Sequence, residues 1–169
     1  LNYRFDNKEG RTINIDADYG AYSNAGSRYL DNAYEDATRE STLSRLINRF
    51  NTDSDIDIYS FKIDYEEEVF GGVLGLGTKL SQIGSDNSFL VFDVISDNDI
   101  MDDTLSNDFE YNETVYAGYI NYARPINDKW SFSAGLRAEQ TDATGFLQAF
   151  LPELMEDPVE LNYLSWFPS

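Results

Sequence analysis

Polar and apolar residues alternate along most of the chain with a period of two, the mark of β-strands with one greasy and one wet face. The stretch RTINIDADYGAYS (11–23) puts Ile13, Ile15, Ala17, Tyr19 and Ala21 on one face and Asn14, Asp16 and Asp18 on the other. DIDIYSFKIDYEEEV (55–69) sets Tyr59, Phe61, Ile63 and Tyr65 against Ser60, Lys62 and Asp64. VLGLGTKLSQ (73–82) sets Leu74, Leu76 and Leu80 against Gly75, Gly77 and Lys79, and this strand is open to continuation through FLVFDVI (89–95). FEYNETVYAGYINYARPI (109–126) carries Tyr116, Ile120 and Tyr122 as its greasy set. WSFSAGLRAEQT (130–141) alternates Trp130, Phe132, Ala134, Leu136 and Ala138 with Ser131, Ser133, Gly135, Arg137 and Glu139. NYRF (2–5) reads as the tail of another strand. In 55–69 the phase slips between Ile58 and Tyr59, since Ile56 and Ile58 share the Lys62 face. A bulge and a strand leaving one solvent for another both account for that slip.

The connections alternate in length. DNKEG (6–10), FGG (70–72) and NDK (127–129) are short and carry the Gly, Asn and Asp that tight turns use. The intervening stretches near 24–54, 96–107 and 142–162 are polar and acidic and are predicted as long surface loops. STLSRLINRF (41–50) has helical character within the first of them. The predicted fold is all-β: an antiparallel up-and-down meander of about six long strands with different ends. Transmembrane barrels have that asymmetry, and their spanning strands need about 9–11 residues. The runs at 11–23, 55–69 and 109–126 meet the length, and Tyr and Trp fall near their ends, as in interfacial girdles.

Composition narrows the function classes. The 169 residues include 31 acidic and 12 basic side chains, a formal net charge of −19. Such a charge repels nucleic-acid phosphates, so no nucleic-acid partner is expected. Cys and His are both absent, which removes thiol and imidazole nucleophile chemistry and His- or Cys-based zinc sites. No enzymatic activity, catalytic residue or cofactor is assigned. No run approaches the roughly 20 apolar residues of a membrane-spanning helix. The strand-like opening at Leu1 and the ending WFPS suggest an excerpt of a longer protein.

Two local motifs carry a resemblance. AGLRAEQT (134–141) resembles the Gly-Leu-Arg-x-Glu-x-Thr strand of TonB-dependent outer-membrane receptors. YLSWFPS (163–169) resembles the strand start that follows the next long loop in that family. NYRFDNKEGRTINIDADYG and DIDIYSFKIDYE are similar to the related outer-membrane β-barrel family. The resemblance covers nearly the whole chain. It implies a segment of a barrel of about 22 strands in the bacterial outer membrane, serving uptake of a ligand. It also implies a plug domain and TonB as partners, through parts that residues 1–169 do not contain, the plug and the closing C-terminal strand among them.

On that reading Ile13, Ile15, Tyr59, Phe61, Ile63, Leu76, Trp130, Phe132 and Leu136 face outer-membrane lipid. Asp16, Lys62, Asp64, Arg137 and Glu139 face the lumen, as structural ladder or as contacts to plug or substrate. The long loops first meet the imported ligand, whose identity the sequence leaves open. SDNDIMDD (96–103) is the one metal candidate, through Asp97, Asp99, Asp102 and Asp103. It lacks the Gly and Glu that an EF-hand requires, and a solvated acidic loop explains it more simply. GVLGLGTK (72–79) matches no nucleotide-binding spacing and reads as strand glycines beside a turn. The competing reading is a soluble ligand-binding β-barrel or sandwich whose greasy faces make a dry interior. A partial barrel on its own leaves two open edges, so the isolated chain is expected to self-associate.

Overall fold

The computed structural model describes residues 1–7, 9–96 and 98–169. Among them are eight strands: β1 (Asn2–Asp6), β2 (Arg11–Glu35), β3 (Thr42–Val69), β4 (Gly72–Ile95), β5 (Asn98–Met101), β6 (Asn107–Asn127), β7 (Trp130–Ala149) and β8 (Val159–Pro168). A single 3-10 turn spans Pro152–Leu154. All pairings are antiparallel, and the spatial order β1-β2-β3-β4-β6-β7-β8 follows the sequence. The predicted all-β meander is therefore the fold, as a sheet that does not close on itself. β5 is a short addition. It pairs with β4 over Phe92–Ile95, above the point where β6 takes over that flank.

The β1–β2 connection, with Asn7, Glu9 and Gly10 described, and turns 70–71 and 128–129 lie at one end of the sheet, the lower end. Phe70 (φ 52°) and Gly71 (φ 75°) are both left-handed, the two-residue geometry whose twist matches that of the strands it joins. Asn127 accepts from the amides of Lys129 (2.9 Å) and Trp130 (3.1 Å) and closes the β6–β7 turn. Connections 36–41, 102–106 and 150–158 lie at the upper end.

The strands run much further than their alternation indicates. The stretch predicted as a long loop at 24–54 is almost wholly paired: Asn24–Tyr34 of β2 lies against Ser44–Ser54 of β3. The helical character at 41–50 is overridden by that partner strand. Asp31 takes a two-pronged contact from Arg45 (2.8 and 2.5 Å), and Ser27 donates to Asn51 (2.9 Å). Likewise 142–149 continues β7 and 159–162 opens β8, and β5 occupies part of 96–107. The phase slip at Ile58 and Tyr59 is not a bulge, because the ladders to β2 and β4 pass through it without a register shift.

The described residues form no layered interior. The buried apolar residues are only Val91, Ala117 and Ala143 among those described. Val91 is held where the β4 flank changes partner: its N–H donates to Ser106 Oγ (2.9 Å), and its carbonyl accepts from the Asp102 amide (2.8 Å).

Candidate functional site

The register sorts the side chains into two faces. Ile13, Tyr65, Leu76, Ile120 and Leu136 stand in one cross-strand row. Ile15, Ile63, Thr78, Gly118, Ala138 and Trp166 form the next, and Ala17, Phe61, Leu80, Tyr116, Gln140 and Leu164 the one above. Tyr59, Phe132 and Trp130 fall on the same face by alternation along β3 and β7. All nine residues expected toward lipid thus share one face. Phe61 (42 %), Leu76 (38 %) and Phe132 (51 %) remain substantially exposed, so these side chains do not converge into a dry centre walled by this chain. The soluble barrel or sandwich needs such a centre.

The apolar band has defined borders. On β2 it runs from Ile13 to Tyr19, and on β7 from Trp130 to Ala138. At about 3.3 Å per residue this is roughly 20–30 Å of strand, comparable with the ~25 Å apolar band of outer-membrane barrels. Tyrosines mark both borders, with their hydroxyls turned away from the band. Tyr19 packs on Tyr59 (ring centroids 4.9 Å) and donates upward to Asp57 (2.6 Å). Tyr65 donates downward to Glu67 (2.7 Å), which also holds Arg11 (2.6 Å). Tyr122 reaches down to the Phe70 carbonyl (3.2 Å).

Behind the band, the opposite face is polar. Asp16, Lys62, Asp64, Arg137 and Glu139 all lie on it. Lys62 pairs with Asp64 (2.5 Å), and Arg137 pairs with Glu139. The Tyr119 hydroxyl donates to Asp64 across the intervening strand, and the Arg137 guanidinium lies 5.9 Å from the Tyr119 ring centre. Tyr119 therefore joins the two charge pairs into one network. Asp16 belongs to a second group, accepting from Asn2 (2.5 Å) and Asn14 (2.6 Å). A cradle of about 260 Å³ lies between the groups, touched by Asn14, Lys62, Asp64, Tyr119 and Asn121. Tyr119 and Asn121 were not singled out from the sequence. Their signal is the pair of glycines opposite: a Cβ at Gly77 would overlap the Tyr119 ring, and one at Gly75 the Asn121 amide.

Above the band the polarity inverts. On the face that carried the greasy rows, Asp55, Asp86 and Glu110 stand side by side, with Asp53, Ser88 and Asp108 in the next row up. On the opposite face Ile58 sits beside Ile83, and Phe50 stacks on Phe89 (6.0 Å). This exchange explains the phase slip in β3: the strand is regular, and its surroundings change.

The described residues of the acidic stretch 96–103 do not assemble a cation site. Asp99 pairs with Arg49 (2.6 Å), whose guanidinium lies over the Phe92 ring (4.7 Å). Asp102 caps its own turn, accepting from the Thr104 hydroxyl, the Thr104 amide (2.9 Å) and the Leu105 amide (3.3 Å). The Thr104 hydroxyl bond, with these amides, holds the Asp102 carboxyl below its ordinary range. Asp103 is exposed, and Asp97 lies outside the described residues. No group of three or more metal-ligating side chains is placed to hold an ion among the described residues.

No curated protein matches the chain. A family model does, over residues 3–169, from the first strand to the last residue. A continuous antiparallel meander, a band of exposed apolar rows bordered by tyrosines, and a polar opposite face agree with that match. The chain belongs to the outer membrane protein beta-barrel family.

Proposed function

We propose that the chain forms wall and extracellular mouth of a ligand transporter of the TonB-dependent receptor kind, with no catalytic step of its own. The carrying observation is the exchange of polarity at the Tyr19–Tyr59 level. A single solvent on each face gives no reason for greasy and acidic residues to swap sides on several strands at one height. A bilayer ending at that height does: lipid below and water above on the outer face, a hydrated lumen below on the inner face. The glycine-cleared network of Lys62, Asp64, Tyr119, Arg137 and Glu139 then lines the lumen at mid-membrane depth, where a plug or a passing ligand meets polar side chains. The strand extensions above the band form the mouth.

The chain contains two tryptophans, which permits a direct test. Trp166 lies within the band and Trp130 at its lower border. In vesicles of lipids brominated at different depths, Trp130→Phe leaves Trp166 as reporter, and Trp166→Phe leaves Trp130. Deep bromines are expected to quench Trp166 more, and shallow ones Trp130. Equal, weak quenching of both would remove the band from lipid. The transport reading is tested separately. The protein encoded by the whole gene is expected to bind the soluble periplasmic domain of TonB. Absence of binding would leave a barrel wall but not a TonB-dependent receptor.

A further inference from the structure

We propose that the inner face of the mouth carries a binding groove for a ligand with a slender apolar group next to a cationic centre. This deepens the transporter reading and rests on it for the direction of the inner face. The groove is built by residue size. Along β7, Ala143 and Gly145 make a low floor. On β6 the taller Phe109 and Tyr111 stand beside it, and on β8 Val159 and Leu161. Small residues on a central strand between large ones on both neighbours leave a trough about one strand wide, since strands lie about 4.8 Å apart. Leu147 closes one end, and the 150–158 connection brings Glu156 and Asp157 to the rim. The open groove holds about 380 Å³, within the range of small-ligand sites.

The chemistry of the walls selects the ligand. Floor and sides are aliphatic and aromatic, so they favour an apolar group. Of the described lining residues the charged ones are Glu156 and Asp157, both acidic, and none is basic. An apolar anion meets repulsion at the rim, whereas an apolar cation meets two carboxylates and aromatic rings. Gly145 is the key position. A Cβ there finds only the Phe109 ring, at 3.6 Å, so a larger side chain fills the trough without displacing backbone.

The test uses two probes of similar size and opposite charge, phenethyltrimethylammonium and 3-phenylpropionate. Binding is measured by calorimetry on the full chain in lipid nanodiscs. The cation is expected to bind at least tenfold more tightly than the anion. Gly145→Val is expected to weaken cation binding tenfold or more. The double change Glu156→Gln with Asp157→Asn, on an exposed connection, is expected to leave binding of the apolar part and abolish the preference for the cation. No cation binding, equal binding of both probes, or a preference unmoved by the double change would overturn the proposal. Tryptophan quenching reports membrane placement independently, so an empty groove in a correctly inserted chain is distinguishable from a chain that never inserts.

Discussion

A single arginine at Leu76 measures which solvent the apolar rows meet. Leu76 stands on the apolar face of β4 beside Ile120, inside the band between Leu74 below and Thr78 and Leu80 above. If lipid covers it, Leu76→Arg lowers folding stability in vesicles by roughly 2–4 kcal/mol, while Gln82→Arg, on the same face at the upper border, costs about 0–1 kcal/mol. Urea titration in vesicles reads both, and equal costs would place the two residues in one solvent. Gly77 supports a second test on the other face. Gly77→Ala pushes its Cβ into the Tyr119 ring and breaks the hydroxyl's bond to Asp64, an expected loss of about 1–3 kcal/mol. Gly118 is the control, because a Cβ there meets nothing within 4 Å. Gly118→Ala is expected to be near neutral in the same titration.

The β2–β3 hairpin tip has its own switch. Asp36 accepts from Ser41 Oγ (2.9 Å), Thr38 Oγ1 (3.0 Å) and the Glu40 amide (3.0 Å). These bonds, the Ser41 one foremost, hold its carboxyl below the usual aspartate value. A carboxylate with a lowered folded value stabilises the tip fully above its unfolded value, about 4. That contribution is lost as pH falls through the lowered folded value. Protection of the Glu40 amide, measured as its exchange relative to the intrinsic rate at each pH, is therefore expected to fall below about pH 4, and Asp36→Ala is expected to lack that protection at every pH. The same hairpin shows what the sequence could and could not tell. Ile13–Tyr19 and Tyr59–Tyr65 alternate because the rows of the apolar band put greasy residues on one face and polar ones on the other. Asn24–Tyr34 and Ser44–Ser54 pair just as fully, yet both of their faces are mixed, so no period of two survives. Asp31 with Arg45 and Ser27 with Asn51 support that ladder through contacts between distant residues, which a local pattern does not register. The glycines at 75 and 77 were visible. Their occupants, Asn121 and Tyr119, came into view only with the register.

For the whole molecule, the open sheet sets a conflict between greasy rows and net charge. Among the described residues, β1 and β8 each have one flank without a neighbour in the sheet, and unpaired flanks recruit other strands. Without lipid, the band from Ile13 to Tyr19 and its neighbours also faces water. Against association stands a net charge of −19. The acidic rows Asp55–Asp86–Glu110 and Asp53–Asp108 sit above the band, however, not within it. Two copies that pack band to band in opposite directions bury the greasy rows while keeping their acidic ends apart. At about 0.1 M salt, screening over about 10 Å weakens what repulsion remains. The isolated chain is therefore expected to form dimers or larger species in detergent-free buffer, more so as salt rises, and to disperse when micelles cover the band. Light scattering across a salt series decides it, and a monodisperse monomer at every salt concentration without detergent would mean that the greasy face finds its cover within one chain.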